Sequence, residues 1–218
     1  MKKFFNRCRK GRRIGFPREL AHSLLLLAAG LGLGLFAKWV DTVSLNSAVG
    51  WHRIFMWIDL RNLLSRPGIW AFMAACIAIY SHRPLRAVFN VWIFLTSMFV
   101  GYYLFTIFGA GFFPKNYMIV WYAIILITSA CALLLWYARG DGWFAILMSA
   151  LILGFMLTQS VSFGMWYIDV SYPIEFVCTL ILLLLINKRD LSMVLTIAGG
   201  LAAAPVIKSI LPYLIGGL

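Results

Sequence analysis

The feature that most limits what this chain can become is the length of its uncharged apolar runs. They recur from residue 20 to residue 218, parted by short polar turns and by one longer interruption at 39–67. A helix needs about 20 consecutive apolar residues to cross the ~30 Å hydrocarbon layer of a bilayer. Inside that layer, helices and closed barrels are the structures that satisfy every backbone N–H and C=O. Charged residues make up 12% of the chain, against about 25% in a soluble domain, too few to clothe a water-facing surface. The expected fold is an all-α, polytopic transmembrane helix bundle.

The runs place crossings at about 20–40, 68–80, 87–108, 117–137, 143–163 and 173–186. The last block, 191–218, is interrupted by Gly199–Gly200 and Pro205. It is either a kinked seventh helix or a hairpin returning to its starting side. Six to seven crossings are therefore expected, in one transmembrane domain (20–218) behind a basic tail (1–19).

The net charge of +12 would speak for nucleic acid if it were spread over a surface, but it is not. Eight of the nineteen Lys and Arg residues lie in the first eighteen positions, and others sit in the turns SHRPLR, ARGDG and NKRD. Cations retained on the cytoplasmic side produce this distribution, which sets the N-terminus inside. The tail also suits anionic lipid, at about 1 kcal/mol per basic residue near the surface. Nucleic acid is not an expected partner; the bilayer is. Cys8, Cys76, Cys131 and Cys178 show no paired spacing and read as free, apolar-behaving thiols. No metal or cofactor is expected, and HExxH, GxSxG and Walker sequences are absent, which makes an enzyme the weaker reading.

The long interruption at 39–67 carries the unusual chemistry. Trp51, Ile54, Phe55 and Ile58 share one helical face, the pattern of an amphipathic helix lying at the membrane interface in the first outer loop. Behind it Asp59, Arg61, Asn62 and Arg66 gather beside Trp57 and Trp70. These six are the candidate substrate-binding residues: arginine, aspartate and aromatics over a bundle suit a pocket for a small polar or anionic solute. The plainer alternative pairs Asp59 with Arg61 or Arg66 to anchor the interfacial helix. A pocket here is expected between the first, third and sixth crossings. Glu175 and Gln159 fall near outer helix ends, where water is close. Lys38 and Asp41, three apart, are positioned to pair.

In the first crossing Ala28, Gly30, Gly32 and Gly34 set small residues four apart. Such spacing admits a second helix to close contact, which matters because lipid supplies no hydrophobic drive for helix association. These are the candidate helix-packing residues.

The stretches NLLSRPGIWAF, IYSHRPLRAVFNVWIFLTSMFVGYYL and WYARGDGW resemble a group of small multi-pass membrane proteins of Gram-positive bacteria. That resemblance implies a bacterial plasma-membrane location and no particular activity. In architecture the chain is also similar to the substrate-binding subunits of energy-coupling-factor transporters, whose first outer loop lids a vitamin site. In those subunits a small-residue face of the first helix meets the coupling subunit. Residues 39–67 and Ala28, Gly30, Gly32 and Gly34 look like those parts, although that family has six crossings. A small-solute binding or transport subunit working with an ATP-driven coupling module is the first functional expectation. The second is a non-catalytic accessory, regulatory or immunity protein that binds another membrane protein.

Overall fold

The computed structural model describes residues 8–12, 14–44, 49–111, 115–163, 167–186 and 188–210. Tail residues 1–7, Trp166 of the third outer loop and the end of the last block, 211–218, lie outside them. Among the described residues nine α-helices follow one another: α1 (Phe16–Thr42), α2 (Gly50–Trp57), α3 (Leu60–Ser65), α4 (Pro67–Tyr80), α5 (Pro84–Ala110), α6 (Lys115–Leu135), α7 (Trp143–Ser160), α8 (Pro173–Ile186) and α9 (Asp190–Ile210). A 3₁₀ turn (Trp136–Arg139) ends α6. Between α7 and α8 two two-residue strands pair antiparallel, β1 (Ser162–Phe163) with β2 (Ile168–Asp169).

Five helices, α1, α5, α6 (extended by the 3₁₀ turn), α7 and α9, are long and apolar enough to cross a membrane. The chain is an integral, multi-pass membrane protein built as a helical bundle. The turns 81–83 and 140–142, residues 188–189 and the docked residues 8–12 share one end of the bundle, the tail face. Residues 43–44, 49–66, 161–163 and 167–172 share the other, the loop face.

The second and sixth apolar runs become α4 and α8, each of 14 residues. At 1.5 Å per residue they rise about 21 Å, against about 40 Å for α1 or α5. Leu63 and Leu64 do not lengthen α4, because Arg66 is extended (φ −86°, ψ 147°) and Pro67 opens a new helix. The interfacial segment is also two helices rather than one. Asp59 sits in the left-handed region (φ 52°) between α2 and α3, a conformation aspartate tolerates better than most side chains. Asn62 Nδ2 donates to both of its carboxylate oxygens at 2.9 Å.

Residues 190–210 form one continuous helix through Pro205 rather than turning back as a hairpin. Neighbour packing holds it. A Cβ placed on Gly154 of α7 would come within 2.9 Å of Ala203 Cβ and 3.0 Å of Gly200 O. One on Gly200 would meet Leu153 Cδ2 at 2.9 Å. The α7 window is 67% buried, against 17% for α9, so α7 forms the centre of the bundle and α9 its outer wall.

The four small residues of α1 divide by face. A Cβ on Gly30 would lie 2.4 Å from Phe94 O, and one on Gly34 only 1.9 Å from Met98 O. Gly101 answers from α5, with Leu31 O 2.4 Å from its would-be Cβ. Gly30 and Gly34 thus seat α1 against α5 of the same chain. Gly32 has nothing within 4 Å of its Cβ position, and Ala28 is exposed beside it. Gly34→Leu is expected to destabilise the bundle by at least the 1–3 kcal/mol typical of overpacking (about that range in cores), and Gly32→Leu to change little. Thermal unfolding of the two variants in one detergent checks the contrast.

Candidate functional site

At the loop face a cavity of about 80 Å³ lies under α3, between α1, α4, α5 and α6. Space of this kind holds about one water per 10–15 Å³, so it admits a handful of waters or one small solute. Its walls are aromatic: Trp70, Phe99, Tyr102, Tyr103 and Trp121. Gly34 and Ala37 of α1 make room for it, and Leu64 and Ser65 roof it. The expected neighbours were the first, third and sixth crossings. The second and fourth take the place of the sixth, because the short α8 is packed on the far side of α4.

Among the described residues Asp41 is the one charged residue in the lining. Its Oδ2 accepts a hydrogen bond from Tyr102 Oη at 3.0 Å and lies 3.8 Å from Lys38 Nζ. The same ammonium donates to Tyr102 Oη at 3.4 Å and stands 5.0 Å from the centre of that ring. Lys38 thus already shows how an ammonium is received here, by a carboxylate and the face of a tyrosine.

The six candidate residues from the sequence meet different fates. Trp70 lines the cavity, held by its indole N–H donating to Leu64 O at 2.8 Å. Trp57 is 87% exposed and faces away. Asp59 and Asn62 bond to each other, and Arg61 Nη2 donates to Val43 O at 2.7 Å, strapping the end of α1. Arg66 turns the other way, with Nε 3.0 Å from Glu175 Oε1 and its guanidinium 3.6 Å over the Tyr172 ring. Neither arginine pairs with Asp59. Glu175 and Gln159 are not near water as expected: both are buried, Glu175 at 2% exposed, and both stand against Gly68 of α4. In α2, His52 is buried while Trp51 and Ile54 of the shared apolar face point out of the bundle, Trp51 stacking on Trp39. Sequence reasoning passed over Tyr102 and Trp121, which sit inside apolar runs where aromatics are ordinary, and gave Asp41 only a pairing with Lys38.

The tail face is closed by the chain's own N-terminus. Arg9 donates to Trp136 O and, at 2.7 Å, to Ile79 O, two carbonyls left open where α6 and α4 end. Its guanidinium also stands 4.2 Å from the Trp136 ring centre. Burial, then the charge of Arg139, bring the Arg9 pKa down to about 10. Cys8 O accepts from Asp141 N at 2.8 Å, so close that a Cβ on Gly140 would lie 2.3 Å away. Gly142, at φ +86°, then turns the chain into α7. Arg12 N donates to His82 O at 2.9 Å. Residues 8–12 are thus docked on the bundle through Arg9 and their backbone, while the side chains of Lys10 and Arg12 stay exposed.

Desolvation, then the charges of His22 and Arg12, push the His82 pKa below its ordinary 6.5, and Glu19 opposes them weakly. A histidine with a lowered folded-state pKa favours folding when neutral. That contribution is present above about pH 6.5 and is lost as pH falls from there through the folded value. Acidification from pH 7.5 to 5.5 is therefore expected to lower the hydrogen-exchange protection factors (rates corrected for the intrinsic pH dependence) at the Arg12 and Asp141 amides, and His82→Gln to flatten that dependence.

These features define the class: a multi-pass helical membrane protein with a small aromatic cavity at one face and a tail plug at the other. No family profile, curated protein or solved structure matches the chain.

Proposed function

We propose that the protein is a small-solute binding subunit of the transport class, set in a bacterial plasma membrane with its tail face in the cytoplasm. The observation that carries this reading is the aromatic cavity with Asp41 as the only charged residue among the described ones in its lining. Aromatic faces and one carboxylate in a partly desolvated space favour a small organic cation over an anion. The volume, about 80 Å³, falls below the roughly 300–1,000 Å³ of pockets for drug-sized ligands. A vitamin of the kind held by energy-coupling-factor subunits is too large, so the likeness to them extends to layout and not to ligand. The basic turns support the orientation, and the resemblance to small Gram-positive membrane proteins supports the location.

Trp70 and Trp121 in the walls give a direct readout. Titration with methylammonium or tetramethylammonium is expected to change tryptophan fluorescence saturably. Asp41→Asn should weaken binding at least tenfold, and Lys38→Met, which removes the competing internal ammonium, should tighten it. An anionic solute would reverse the Lys38 effect, and no saturable response from either cation would end this reading.

A second reading, a non-catalytic accessory or regulatory protein (an immunity protein included) held against another membrane protein, is favoured by one observation. Ala28 and Gly32 remain exposed on α1 after Gly30 and Gly34 are used internally. The same face would serve a coupling module. Ala28→Leu with Gly32→Leu is expected to leave melting unchanged and to strip any membrane partner from a mild-detergent purification.

A further inference from the structure

Where the docked tail leads into α1, basic groups gather with little to balance them. His22 of α1 and His82 of the turn 81–83 stack with ring centres 5.6 Å apart and planes at 23°. Arg12 is brought to them by its backbone, whose N–H donates to His82 O at 2.9 Å. Gly11, one residue earlier, admits this approach: a Cβ there would stand 3.3 Å from Arg83 Cγ and from His82 O. The groups that face His82 are His22 and Glu19 from α1 and Arg9 and Arg12 from the tail. Arg83 follows it in the turn, and Arg86 lies in the first turn of α5. On α1, Arg18 and Glu19 lie one turn before His22.

These charges do not cancel. Among the described residues Glu19 is the one carboxylate of this group. One of its oxygens is held by Arg86, and the other is buried without a hydrogen bond. Arg9 is engaged with Ile79 O and Trp136 O. Lys10, Arg12 and His22 are exposed and His82 is half-buried. A protonated imidazole pair here meets further cations, and an anion from outside the chain is what relieves them.

Depth decides which anion. His22 lies 17 residues before Trp39, which stacks on Trp51 at the loop face. At 1.5 Å per residue the two stand about 26 Å apart along α1, close to the ~30 Å thickness of the hydrocarbon layer. With the tryptophans at one interface, where such rings settle, the histidines reach the phosphate level of the other. The neighbouring helix surfaces toward the bilayer centre are apolar and open, since Leu24 and Leu25 of α1 and Phe89 of α5 are exposed. A molecule with a phosphate at the histidines and acyl chains along those side chains fits this face better than free phosphate does.

We infer that His22, His82 and Arg12 form a binding site for the headgroup of an anionic phospholipid in the leaflet at the tail face. Basic tail residues lying on lipid need no fixed geometry, whereas this site joins one tail arginine to two histidines held by the bundle. It is independent of the cavity at Asp41, which opens at the other face. It also responds to pH. A phosphate favours the protonated imidazoles, so lipid affinity rises as pH falls, while without the lipid the same protonation loosens the tail.

The test uses the full chain, with isotope-labelled histidine, in phosphatidylcholine bicelles observed by NMR. The chain has three histidines, and His52 at the loop face serves as the internal reference. Added phosphatidylglycerol should shift the His22 and His82 imidazole signals saturably, leave His52 in place and move the titration of His82 to higher pH. Half-saturation should need less lipid at pH 5.5 than at pH 7.5. Arg12→Gln should raise the lipid needed about fivefold, the effect of one basic residue near the surface. Arg189→Gln, an exposed arginine just before α9, should leave it unchanged. No saturable shift, equal movement of His52, or an equal loss in Arg189→Gln would overturn the site. Inorganic phosphate that reproduces the shifts in phosphatidylcholine alone would overturn the assignment to lipid. No organic cation enters this assay, so its failure is separate from a failure of cation binding at Asp41.

Discussion

Lipid tails are as apolar as leucine, so helices in a bilayer gain nothing by hiding apolar surface from their surroundings. What joins them is close approach, and in this chain close approach is made by glycine. Phe94 O and Met98 O of α5 occupy the space that side chains on Gly30 and Gly34 would fill, and α9 repeats the arrangement against Gly154 of α7. Everything else is hung on these two seams. They hold the long helices in pairs, and each short helix rests on one member of a pair, α4 on α5 and α8 on α7.

The shortness of α4 and α8 creates the chemistry of the loop face. Helices of about 21 Å in a layer of about 30 Å end before the surface. Polar residues just ahead of their prolines are thereby drawn inward: Arg66 before Pro67, Tyr172 before Pro173. Glu175 follows at the first turn of α8, where a negative charge also suits the helix dipole. On the other side of α4 the same early ending leaves the aromatic cavity, roofed by Leu64 and Ser65. One junction, Ser65–Arg66–Pro67, therefore borders both the cavity and the contact between α4 and α8.

At the tail face the problem is the reverse, and the solution is local. The C-terminal ends of α4 and α6 leave carbonyls with no helical partner. Arg9 caps Ile79 O and Trp136 O, Trp136 Nε1 donates to Ser81 O at 2.6 Å, and Lys188 reaches Gly140 O. Basic residues first read as topological markers are also plugs for helix ends, and the two roles agree because both place cations at that face.

Much was legible in the sequence because length and charge are properties of the chain itself. The membrane, the helical class, the limits of the long helices to within a few residues and the small-residue stripe on α1 all follow from counting apolar residues against a fixed bilayer thickness. The candidate site was legible only in part. Trp70 reached the cavity, whereas Trp57, Asp59, Arg61, Asn62 and Arg66 went to solvent, to one another, to a backbone carbonyl and to Glu175. Partner choice is a matter of distances between segments far apart in sequence. Arg66 lies closer in sequence to Asp59 than to Glu175, yet a left-handed residue at Asp59 and a proline at 67 rotate the two apart. Likewise an apolar run does not say which of its aromatics line a void, since Tyr102 and Trp121 differ from other aromatics in their runs only in what α1, α4 and α6 put opposite them. The sequence by itself determined that this chain crosses a membrane as helices, because backbone hydrogen bonding in hydrocarbon leaves almost no other choice. Only the tertiary structure decided where its charges meet, because that depends on which helix stops short and which neighbour glycine admits.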